Sequence, residues 1–145
     1  MEIEQLSKAN LTDLVRLVLE LWTDCVFEEE YDNYERMLMS DTEICYLLKE
    51  QETYIAFIHL TSRTDYVEGA TDYPVAYIEA LYVKPTYQQL GIGKKLVSAG
   101  ENWSRQKGCK QLASDTELTN SSAIDFHKRI GFDEVNRIVC FVKEL

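Results

Sequence analysis

Basic residues are scarce in this chain. Fifteen Lys and Arg stand against 25 Asp and Glu, a formal net charge of −10 over 145 residues. A chain so short of positive charge is a poor partner for nucleic acid or an anionic membrane. Its acidic surface would instead steer cationic ligands, although solubility alone also accounts for such a balance. No apolar run approaches membrane-spanning length, and Met1-Glu2-Ile3-Glu4-Gln5 has neither a basic region nor an apolar signal core. Cys25, Cys45, Cys109 and Cys140 form no CxxC pair, and no histidine stands at metal-ligand spacing from them. Each lies in or beside an apolar pattern and reads as a reduced core thiol, so the expected location is the cytoplasm and no metal is expected. With two prolines and six glycines there is no linker, repeat or low-complexity tract. Residues 1–145 read as one domain, large enough to bury a core.

What is present is periodic. Met1 to Leu6 alternates as a strand, and Leu11, Leu14, Val15, Val18, Leu21 and Trp22 stripe one face of a helix, with Asn10 or Thr12 as its cap. Glu28 to Met39 reads as a second, acidic helix. Ile44 to Lys49 and Tyr54 to Ser62 read as strands joined by a polar turn, and Arg63 to Pro74 as a loop or β-arm. Val75 to Val83 is a near-continuous apolar strand interrupted by Glu79, the pattern of a buried central strand. Ile92, Leu96, Ala99 and Trp103 stripe a helix ended by Gly108. Gln111 to Ser114 reads as a short strand, Ser121 to Ile130 as a helix closed by Gly131-Phe132, and Glu134 to Val142 as a last strand. The order β-α-α-β-β-β-α-β-α-β is mixed α/β, largely antiparallel in its first half.

The segment Tyr82-Val83-Lys84-Pro85-Thr86-Tyr87-Gln88-Gln89-Leu90-Gly91-Ile92-Gly93 joins that central strand to a helix. Glycines at a helix start expose backbone N–H groups where the helix dipole adds positive charge, an anion site suited to a pyrophosphate. A Walker loop fails here, because Gly93-Lys94 is preceded by Gln88 and followed by Lys95; a dinucleotide fingerprint fails at Leu96. The remaining Gln-x-x-Gly-x-Gly after Tyr-Val-x-Pro resembles the coenzyme A loop of the GCN5-related N-acetyltransferase (GNAT) superfamily. That resemblance implies an α/β (α+β) GNAT acyltransferase fold, a mixed central sheet with splayed strands flanked by helices. It implies acetyl-coenzyme A as donor, with its pyrophosphate on Gln88, Gln89, Leu90, Gly91, Ile92, Gly93 and Lys94. It sets the backbone of Leu81, Tyr82 and Val83 against the pantetheine and thioester, where an N–H would stabilise the oxyanion. Asn120 matches a cofactor-bonding position and equally suits an N-cap.

Arg63 to Gly69, Pro74-Val75, Ile78 to Val83, Ala113 to Thr116 and His127 before Gly131-Phe132 resemble, more narrowly, the aminoglycoside 6′-N-acetyltransferases. By that resemblance acceptor contacts fall at Trp22, Tyr66, Glu79 and Asp115, while Asn136 stands where relatives carry an acidic contact. The residues agree with it. Glu79 is a carboxylate inside an apolar strand, costly unless paired or used, and Asp115 follows a neighbouring strand. Together they would make an acidic pocket for an ammonium group and supply the catalytic carboxylates. Each has a plainer reading: Glu79 as a salt bridge to Arg63 or Lys84, Asp115 as a turn residue, Trp22 as core. His127 occupies the place where many superfamily members have a tyrosine acid; it suits proton exchange near neutrality, or packs within its helix. His59 reads as structural, without an obvious partner. Alternative acceptors are a polyamine, an amino sugar or a protein amine, and a non-catalytic acyl-coenzyme A module is a further alternative. The long apolar edge of the last strand would pair or be covered; with relatives often dimeric, a homodimer is expected.

Overall fold

A computed structural model covering residues 1–145 has five strands, four α-helices and one 3-10 turn. In chain order these are β1 (Glu2–Gln5), α1 (Leu11–Leu21), α2 (Phe27–Met37), β2 (Glu43–Glu50), β3 (Thr53–Arg63), β4 (Val75–Val83), the turn Pro85–Tyr87, α3 (Ile92–Gln106), β5 (Leu112–Ala113) and α4 (Ser121–Arg129). The strands form one sheet in the order β1-β2-β3-β4-β5. Pairing is antiparallel through β4 and parallel between β4 and β5.

The sheet is buried on both faces, which is why β4 reads as a nearly unbroken apolar run. Leu11, Leu14, Val15 and Val18 of α1 pack with Leu47, Phe57 and Ala80 on one face. Ile92, Leu96, Val97 and Trp103 of α3 pack with Ile55, Ile58, Leu60 and Ile78 on the other. Asn10 precedes α1 without capping it; its amide instead ties Ser7 N–H and the Gln5 carbonyl, 2.8 and 3.1 Å away. Trp22, expected on the buried stripe, closes the helix at its exposed end and is 40% accessible.

Besides a register shift between β2 and β3 at Leu48/Lys49, β4 carries two features that bear on the site. Between β3 and β4 the register jumps, His59 opposite Ala80 and Leu60 opposite Ile78, so Glu79 is an extra residue in β4. Such a bulge re-aims a side chain. Beyond it, β4 has no neighbour on its far side: β5 pairs only with Ala76 and Tyr77.

The strand expected over Glu134 to Val142 is not formed. After Gly131, in the left-handed region at φ 102°, residues 132–145 lie outside any helix or strand. They run as an arm along which Val135, Ile138, Val139, Phe141 and Val142 are exposed. Alternating apolar residues specify a strand only where a second strand accepts its backbone hydrogen bonds, and the single chain offers the arm none. Cys140 is accordingly exposed and Cys25 only part-buried, so only Cys45 and Cys109 are core thiols. His59 does have a partner: its Nε2 lies 3.2 Å from Glu43 Oε1, and burial lowers its pKa. No helix is long and apolar enough to cross a membrane.

Candidate functional site

The open edge of β4 is the starting point. Lys84 N–H donates to the Ile55 carbonyl at 2.9 Å. Counting back along an antiparallel ladder, Tyr82 and Ala80 also turn N–H and C=O toward β3, whereas Val83 and Leu81 turn theirs to the opposite edge. That edge lost its partner when β5 ended. The backbone of Leu81 and Val83 thus faces a gap between two diverging strands, long enough for an extended amide-bearing chain to pair as a strand would. Tyr82 is directed elsewhere; its hydroxyl donates to Glu20 Oε2 at 2.9 Å, and burial with that carboxylate pushes its pKa up to about 12. The Gln88 amide donates to the Val83 carbonyl at 3.1 Å, on the open edge.

The glycine turn lies at the end of this gap. Gln89 (φ 63°) and Gly91 (φ 79°) both adopt left-handed backbone. In α3 the first return bond runs from Lys95 N–H to the Gly91 carbonyl at 3.1 Å. The N–H groups of Ile92, Gly93 and Lys94 therefore project from the helix end with its positive dipole. A Cβ built on Gly91 meets nothing within 4 Å, so the space over the turn is open, while Leu90 is exposed. Gly93 answers a different need: a Cβ there would come within 3.0 Å of the Phe126 ring, so its absence lets α4 close on α3. Asn120 caps α4, its Oδ1 accepting from Ala123 N–H at 3.1 Å; its Nδ2 is left free for a ligand.

The acceptor side is a connected chain of polar groups. Glu79 accepts from Arg63 Nε and Nη2 at 2.6–2.9 Å and from Thr61 Oγ1 at 2.6 Å. The salt bridge to Arg63 is therefore real, and it offsets the charge of Glu79. The guanidinium also lies 3.7 Å over the ring of Tyr77. The Tyr77 hydroxyl donates to Asp115 Oδ2. Burial, then the Asp115 carboxylate, raises the pKa of Tyr77, which keeps it a donor. Asp115 itself is exposed and bonded only to that hydroxyl, which leaves its other oxygen free.

Tyr66, 77% accessible in the β3–β4 connection, donates from its hydroxyl to Glu68 Oε2 at 2.7 Å. Asn136, on the arm, donates from Nδ2 to Glu68 Oε1 at 2.5 Å. Trp22 closes α1 two residues beyond Glu20, whose carboxylate reaches Tyr82 and, at 3.5 Å, Lys84 Nζ. His127 is tied at both nitrogens. Nδ1 lies 2.6 Å from the Ala123 carbonyl and must carry the proton; Nε2, 2.8 Å from Ser114 Oγ, then accepts from that hydroxyl.

Tyr77, Thr61, Glu68 and Ser114 were not singled out from the sequence. For Tyr77 and Thr61 a signal existed. Tyr77/Glu79 and Thr61/Arg63 are pairs two apart, the strand spacing that puts side chains on one face.

Residues 10–132 match the profile of the acetyltransferase (GNAT) family. The aminoglycoside N(6′)-acetyltransferase type 1 of Salmonella enteritidis is 30% identical over 143 residues, 99% of this chain and 99% of that protein. The protein of the same name from Acinetobacter baumannii is 33% identical over 147 residues, covering 100% of this chain and 99% of its own length. The solved structure of AAC(6′)-Iy in complex with the bisubstrate analogue CoA-S-monomethyl-acetylneamine superposes with a TM-score of 0.95 at 29% identity, over 99% of this chain and 98% of that one. The aminoglycoside 6′-N-acetyltransferase AAC(6′)-Ih from Acinetobacter baumannii does so with a TM-score of 0.91 at 30% identity, over 99% and 98%.

Proposed function

The chain belongs to the acetyltransferase (GNAT) family, and we propose that within it the protein transfers the acetyl group of acetyl-coenzyme A to the 6′-amino group of aminoglycosides by direct attack in a ternary complex. The observation that carries this reading is an uncompensated carboxylate, Asp115, on the segment that follows β5, beside the unpartnered edge of β4. Such a juxtaposition holds an ammonium-bearing acceptor against a donor laid along the gap. The relatives' names and the coenzyme A analogue bound in a neighbour support the same donor and acceptor.

The donor fits the residues present: the open left-handed turn at Gly91 and the three free N–H groups of α3 suit a pyrophosphate, and the outward N–H and C=O of Leu81 and Val83 suit the pantetheine amides. An outward N–H of β4 then stabilises the negative charge that develops on the thioester oxygen. Asp115 orients the acceptor ammonium and takes its proton, directly or through water. The Arg63–Tyr77 stack fixes Asp115 from behind, since Tyr77 cannot swing without losing the guanidinium. Glu79, with three of its contacts on Arg63, sets the pocket's shape and field rather than accepting a proton. Ser114, next to Asp115 in sequence, and His127 form a hydroxyl–imidazole pair, and the coenzyme A thiolate leaves to solvent, from which it takes its proton.

A cytoplasmic location suits an enzyme that draws on acetyl-coenzyme A. For the assembly, we infer that two copies associate through the arm, because one chain leaves Ile138, Val139, Phe141 and Val142 exposed and the outer edge of β5 unpaired. The direct test is thiol release from acetyl-coenzyme A with kanamycin, tobramycin, spermidine and a peptide panel. Turnover confined to the aminoglycosides is expected. Turnover of spermidine or a peptide with none of an aminoglycoside overturns the acceptor assignment.

A further inference from the structure

Asp115 is exposed, and an exposed aspartate without a fixed partner samples several rotamers. The one side chain that bonds it is Tyr77, whose hydroxyl donates to Oδ2. What gives this carboxylate a direction therefore comes through one phenol.

Tyr77 itself is held from several sides. It is 9% accessible and packs with Val67 and Val75, with Ala113 against them. Ala113 is also its register partner in β5, so Asp115 follows two residues past the point where Tyr77 is anchored. Thr61 is its register partner in β3. The Arg63 guanidinium covers the ring at 3.7 Å, and bonds of 2.6–2.9 Å to Glu79 hold that guanidinium in place. Thr61 Oγ1 donates to the same carboxylate at 2.6 Å, so Glu79 is fixed as well. Burial and the bond to Asp115 raise the Tyr77 pKa, against the pull of Arg63. The hydroxyl thus keeps its proton at neutral pH. It has one proton to donate and gives it to Oδ2, which leaves Oδ1 for the acceptor.

We propose that Tyr77 is a positioning residue for the acetyl transfer: its hydroxyl turns a freely rotating carboxylate into one that presents a single oxygen, at a set angle, to the attacking amine. This role presupposes the function proposed for Asp115, orienting that amine and taking its proton. Tyr77 acts through Asp115 alone, which gives it a kinetic signature that a packing residue lacks.

Tyr77→Phe deletes the hydroxyl and keeps the ring under Arg63. With tobramycin and acetyl-coenzyme A, kcat should fall about tenfold, as expected when a reacting group is held less well. KM should stay within about twofold and the coenzyme A Kd should not change. In Asp115→Ala, which is itself slow, adding Tyr77→Phe should cost nothing further, because the hydroxyl has no carboxylate left to hold. An equal loss in both backgrounds overturns the proposal, as does a Tyr77→Phe enzyme with wild-type kcat. The contact is also read without turnover, by NMR of protein isotope-labelled at the tyrosine Cζ. The signal missing in Tyr77→Phe belongs to Tyr77, and it should shift in Asp115→Ala; a signal that stays in place overturns the bond and the proposal with it. Unchanged kinetics in Asp115→Ala overturn the function of Asp115 and that of Tyr77 together. A wild-type protein that acetylates spermidine and no aminoglycoside overturns the substrate reading alone, and the same cycle run with spermidine decides the role of Tyr77. A wild-type protein that acetylates neither overturns both.

Discussion

Asp115 and Gly91 carry the two sharpest single-residue expectations. Asp115→Asn keeps an oxygen for the Tyr77 hydroxyl and removes the charge, so the fold should survive while kcat falls by roughly 10²–10⁴, with KM rising less and acetyl-coenzyme A binding normal. Unchanged kcat and KM would return Asp115 to the role of a turn residue. Gly91→Val places a branched side chain at φ 79° in space that is empty in the structure. The strain costs about 1–3 kcal/mol, and coenzyme A affinity should drop by at least about tenfold because the side chain stands where a phosphate approaches. Calorimetry on the folded variant measures this, and a near-normal Kd would remove the turn from the binding site. At this scale the sequence was readable where chemistry is local. A glycine pair at a helix start and a lone carboxylate in an apolar strand announce themselves. Glu43 beside His59, 16 residues apart, and Glu68 beside Asn136, 68 apart, do not, because only sheet register and the course of the arm bring them together.

Helices and inner strands were legible at the level of elements, since their periodicity is imposed by burial that the single chain supplies. The arm was not. Its alternation is genuine, but alternation describes which faces a strand would have, and leaves open which strand it pairs with. The bulge at Glu79 was equally invisible, because an inserted residue changes register without changing composition. The arm also gives a prediction. Truncation after Asp133 should shift the protein from dimer to monomer in sedimentation velocity, while leaving the cores on both faces of the sheet intact. It should raise the acceptor KM as well, since Asn136 is lost. A wild-type chain that sediments as a monomer at micromolar concentration would refute association through the arm.

Across the whole molecule the net charge of −10 acts at a distance. If it steers a polycation, kcat/KM for tobramycin should fall as salt rises, because exposed charges are screened over roughly 8 Å at physiological ionic strength. Coenzyme A, an anion, should show no parallel loss of affinity. A flat tobramycin profile would assign the acidic surface to solubility alone. The two substrates differ in a further respect, a consequence of the outward backbone of Leu81 and Val83. Main-chain N–H and C=O groups are the same whatever residue a codon specifies, proline excepted. The groups that would meet the acceptor at Tyr66 and Asp115 are side chains, both of them exposed. Single nucleotide changes can therefore rewrite which antibiotic is recognised, while almost none can rewrite the acetyl donor. Under shifting drug exposure the spectrum of such a protein is free to drift around a fixed chemistry.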